Sequence, residues 1–152
     1  MTRTRALTTV AATLLAVTPA SPQLLPRNRS ASPKPEPVAE TKLLMEGLLQ
    51  ANVRGLEKNL RQAPADAETW TFVRGQALLI AETGNLLMLR PPRSGGQEAW
   101  MAHAADLREK ATGLARLAAA RDAAGSRRAL ADLSGTCNRC HQTFRAIPTS
   151  NQ

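Results

Sequence analysis

Apolar positions recur at steps of three and four along most of the chain and mark four helical stretches. The first runs from about Val38 to Gln62, with a stripe at Met45, Leu48/Leu49, Asn52/Val53, Leu56 and Leu60. Pro64 ends it, and Asp66 is the expected N-cap of the next helix. In that second stretch Trp70, Val73, Ala77, Ile80, Gly84 and Leu87 share one face. The run Arg90-Pro91-Pro92-Arg93-Ser94-Gly95-Gly96 then breaks the chain. The third seam is Trp100, Ala104, Leu107, Ala111, Leu114 and Ala118, with Gly125 and Ser126 expected as stop and new N-cap. Leu130, Leu133, Cys137, Cys140, Phe144 and Ile147 form the fourth. Four apolar seams joined by short turns predict an all-α fold, an antiparallel four-helix bundle.

Composition agrees with that pattern: aromatics are 3% of the 152 residues and Tyr is absent, a poor basis for a sandwich or barrel. The N-terminal region reads differently from the bundle. Residues 1–20 have the form of a secretory signal, with Arg3 and Arg5 before the apolar run Ala6–Val17 and small residues at Thr18-Pro19-Ala20. An exported, periplasmic protein is therefore expected. Residues 21–37 hold five prolines and form a linker, 38–148 the bundle and 149–152 a short tail. The net charge of +8 thins out on this division, because residues 38–148 carry 15 basic and 11 acidic side chains. With no dense basic patch and no interleaved aromatics, nucleic-acid binding is not expected.

The chemistry lies in the fourth seam. Cys137-Asn138-Arg139-Cys140-His141 is the attachment motif of c-type haem. Three residues apart on a helix, the two thiols face one way and can each add to a haem vinyl group. His141, four residues after Cys137, lies over the same edge and can offer a ring nitrogen to iron. Competing readings are weaker. A redox-active pair of cysteines wants a βαβ setting, a structural zinc site wants a fourth ligand that only His103 could supply, and a disulfide here closes a tiny loop. One covalently attached haem c, with its iron, is the expected cofactor.

The order of helices, the C-terminal Cys-x-x-Cys-His and the following Phe144-Arg145 resemble the cytochrome c′ family. The likeness is best over Glu98–Arg145, with a Trp opening the third helix; Leu43-Leu44-Met45 through Leu56 resembles the family's first helix more loosely. The C-terminal motif also separates the chain from small electron carriers whose motif lies near the N-terminus, since no Met follows His141. The resemblance implies thioethers at Cys137 and Cys140, proximal ligation by His141 and a distal position at Met45. Other upstream candidates for the distal ligand are Met88, Met101 and His103, the last expected to be a half-buried surface histidine. Arg145 resembles the family's proximal basic residue, placed to face an anion or a haem propionate or to solvate a helix end. Where the family commonly has a basic residue before the distal position, this chain has Thr41, leaving Arg90 and Arg93 as the alternatives.

Three functions follow as expectations. The first is a one-electron carrier that exchanges electrons with unidentified redox partner proteins. The second is a five-coordinate haem protein that takes up NO or CO, and the third a haem-bearing sensing or interaction module. No paired carboxylates, Ser/His/Asp set or phosphate loop suggests an enzyme. Leu43, Leu78 and Leu86 lie off the seams, and with the resemblance they imply a possible homodimer.

Overall fold

A computed structural model describes residues 33–144, and in it the chain is an all-α bundle of four helices, with no strand among the described residues. The signal segment, most of the linker, Arg145 and Ile147 lie outside the described residues. Helix α1 is one continuous rod in three stretches: α-helical Thr41–Leu43, π-helical Leu44–Gln50 and α-helical Ala51–Leu60. Helices α2, α3 and α4 span Ala67–Met88, Gln97–Ala119 and Ala123–Phe144. Each helix packs on the next in sequence, and α1 returns against α4 to close the bundle.

The α2 and α3 seams are as the pattern predicts. Val73, Ala77, Ile80, Ala111 and Leu114 are fully enclosed, and Trp100 is half-buried, with its indole N–H donating to the Leu87 carbonyl at 2.7 Å. Antiparallel packing of this pair is close at Gly84, where a Cβ would stand 2.8 Å from the Ala104 carbonyl oxygen. Asp66 caps α2 as predicted, its carboxylate accepting the Thr69 N–H at 2.7 Å and the Thr69 hydroxyl at 2.9 Å. That charge-assisted pairing holds the Asp66 carboxyl below its ordinary value.

Three expectations need correction. Helix α1 starts at Thr41, and Val38 is exposed, so the pattern's first apolar residue plays no part in the core. The seam of α1 begins at Leu44, off the predicted stripe, and continues at Leu49, five residues on. The wider π turn brings those two onto one face, which a 3.6-residue period does not do. Finally, Gly125 and Ser126 are buried inside the first turn of α4 rather than ending α3. Asp122 takes the capping role, accepting the Gly125 N–H at 2.8 Å, and Arg121 makes the turn at φ 55°. An acidic acceptor competes well for that position, and a Cβ at Gly125 would run into it.

Candidate functional site

Cys137, Cys140 and His141 rise from one face of α4 near the end of the bundle where α1 begins and α2 ends. Around them is a narrow crevice of about 30 Å³ lined also by Met45 and Leu49 of α1, Leu87 of α2, and His103 and Leu107 of α3. All four helices thus contribute, and the walls are mainly apolar. Met45 is the one methionine of the described residues in this lining; Met88 packs against the core and Met101 is exposed. His103 is half-buried, as its sequence position suggested, yet its ring faces the crevice instead of serving the surface alone. Arg145 is outside the described residues, and its expected role with it.

Both cysteines are free and half-buried. Burial pushes the Cys137 thiol up from its ordinary value, and burial with the neighbouring Cys137 does the same for Cys140. Both shifts favour the neutral S–H form over the thiolate. Among the described residues no three His, Cys, Asp or Glu side chains converge where they could hold a bare metal ion. Two free thiols and an imidazole on one apolar face instead fit a planar apolar group that is joined through carbon and ligated from one side.

Sequence reasoning missed the polar bracket that fixes this face. Thr136, 1% exposed, donates its hydroxyl to an Asp106 carboxylate oxygen at 3.0 Å. Arg139 Nη2 donates to the same oxygen at 2.9 Å and to the Thr136 hydroxyl at 2.9 Å. Asp106 of α3 is therefore tied to α4 immediately before Cys137 and within the motif itself. Its adjacency to seam residue Leu107 was the available signal, but nothing local to Thr136 announces a partner thirty positions away.

At the outer side of the crevice the Phe144 ring stands edge-on to Trp100 at 5.1 Å and to His103 at 6.0 Å. Beyond it lies an open groove of about 520 Å³ bounded by the segment before α1, the α2–α3 loop and the Trp100 and Phe144 rings.

The family model of cytochrome c′ matches residues 96–145, which span α3, the turn after it and α4 with the complete motif. No curated protein and no solved structure matches the chain.

Proposed function

We propose, from the match of residues 96–145 to the cytochrome c′ family model, that the chain is an exported one-electron carrier ligated by His141 and Met45. It is a c-type cytochrome with covalently attached haem c as its cofactor. In our reading the Cys137 and Cys140 S–H bonds add across the two vinyl groups, forming two C–S bonds with no net oxidation. His141 would supply a ring nitrogen to the iron. Leu49, Leu87 and Leu107 keep water from the site, so that charge moves with little solvent reorganisation. When bound, the haem iron supplies an Fe(III)/Fe(II) couple, and thioether ligation by Met45 favours its reduced form. No described helix is long and apolar enough to cross a membrane. Periplasmic residence rests on the signal-like residues 1–20.

The observation that carries this reading is Met45 in the crevice wall across from the motif on α4. Leu49 of the same π-helical stretch lines the crevice as well, and this favours a second reading. If Leu49 rather than Met45 faces the iron, the metal is five-coordinate behind an apolar wall and suited to NO or CO. The ferric optical spectrum separates the two. Met ligation gives a low-spin six-coordinate spectrum, which Met45→Ala turns high-spin while opening a site for CO; Met88→Ala leaves it unchanged. A wild-type protein that is already high-spin rejects Met45 as ligand and selects the gas-binding alternative.

A further inference from the structure

Crevice and groove are stacked one helical turn apart along α1, α3 and α4, and the chain just past the end of α2 follows the same step. Met45, Leu87, His103 and His141 line the crevice, while Thr41, Arg90, Trp100 and Phe144, each three or four residues away, line the groove. A flat group held by its edge at Cys137 and Cys140 and too large for the crevice extends in this direction. A porphyrin attached through its vinyl edge has its two carboxylates on the other edge, and carboxylates left in an apolar crevice would be costly. They need water and a cation.

Arg90 meets that need. It is half-buried, its Nε donates to the Ala39 carbonyl at 3.1 Å and its Nη1 to the Leu86 carbonyl at 2.6 Å. Two bonds fix the guanidinium against the groove wall and leave further N–H donors free. The fixed planar fork suits a carboxylate better than a mobile side chain does. Arg93 also lines the groove but is exposed, and Thr41 brings no charge from α1. Glu40 is the one carboxylate of the groove lining and opposes the same ligand.

We propose that Arg90 binds the carboxylate edge of the haem in this groove, with Glu40 setting the opposite sign of charge beside it. The assignment rests on the haem reading above. A cation at that edge disfavours the additional positive charge of ferric iron and so raises the midpoint potential; an anion lowers it.

The test uses the full exported chain. Covalent haem is first verified from the mass of the denatured protein, and midpoint potentials are then measured by optical redox titration. Arg90→Gln shifts the potential downward, Arg90→Lys keeps the charge and leaves it close to wild type, and Arg93→Gln changes it little. Glu40→Gln, at an exposed position, shifts it upward and carries the test if Arg90→Gln does not accumulate. An Arg90→Gln or Glu40→Gln potential equal to wild type in haem-loaded protein overturns the assignment. So does an Arg90→Lys potential as low as that of Arg90→Gln, which would make Arg90 a structural tie only. Failure of the wild type to carry haem overturns the haem reading itself, and the assignment with it.

Discussion

Replacing Asp106 with Ala tests whether the bracket between α3 and α4 positions the motif. Two losses follow. Thr136, 1% exposed, keeps a hydroxyl whose acceptor has gone, at a cost of about 1–3 kcal/mol. The ion pair with Arg139 is also lost, but the Arg139 and Asp106 side chains are 55% and 32% exposed, and such a pair contributes only about 0–1 kcal/mol. The Thr136 hydroxyl can turn toward a carbonyl of its own helix, which draws the first term toward its lower end. The expected cost is about 2 kcal/mol, or roughly 10 °C in Tm for a domain of this size. Thermal unfolding of haem-loaded protein, followed by helical circular dichroism, measures it. Arg139→Gln should cost less than about 1 kcal/mol, because it removes the exposed partner and leaves the buried hydrogen bond in place. Two results refute the reasoning. A Tm unchanged by Asp106→Ala shows that the bracket does not hold α4, and equal losses for Asp106→Ala and Arg139→Gln show that charge, not the buried hydroxyl, dominates.

Gly84→Ala sets a Cβ against the Ala104 carbonyl oxygen at 2.8 Å, so α2 and α3 must part; overpacking outweighs the gain in helix propensity by about 1–2 kcal/mol, read from denaturant unfolding. Asp66→Ala removes the α2 cap and lowers the unfolding midpoint at neutral pH. Because the Asp66 carboxyl is held below its ordinary value of 3.8, its contribution is present above that value and fades as the pH falls, so the wild type and variant should converge in strong acid. For the proposed homodimer, Leu43, Phe72, Leu78 and Leu79 are the exposed apolar residues of α1 and α2, whereas Leu86 packs against the core. Phe72→Glu should shift a wild-type dimer toward monomer in sedimentation at high micromolar concentration, and a monomeric wild type under those conditions rejects the interface.

How much the sequence discloses depends on how local the cause is. The faces of α2 and α3 follow from side-chain spacing alone, because an ordinary α-helix maps sequence to face without ambiguity. The Asp66 cap is legible for the same reason, as its partner Thr69 is three residues away. The motif at Cys137, Cys140 and His141 is equally local. In α1 the mapping fails where the helix widens, and no residue type in Leu44–Gln50 signals an i→i+5 turn. At the start of α4, glycine and serine have the right chemistry for a boundary, but Asp122 outcompetes them. The walls of the crevice and the Asp106–Thr136 contact depend on which helices become neighbours, and only the folded bundle sets that.

In the proposed reading the π-helical stretch makes the distal side of the site a matter of phase. In Leu44–Gln50 one surplus residue is absorbed without breaking the rod, since the backbone keeps right-handed helical angles at Leu43 and at Ala51. Loss of one residue there, most simply Gly47, where a side chain is not needed for packing, would return the stretch to ordinary winding. Everything before it, Met45 included, would then keep nearly its present phase against the seam of Leu56 and Leu60, whereas ordinary winding at full length would turn it by about 100°. A change of winding at constant length, not a deletion, is thus what would exchange thioether for hydrocarbon in the crevice wall. In the proposed reading, ligand identity rests partly on local winding, which aligned letters alone do not record.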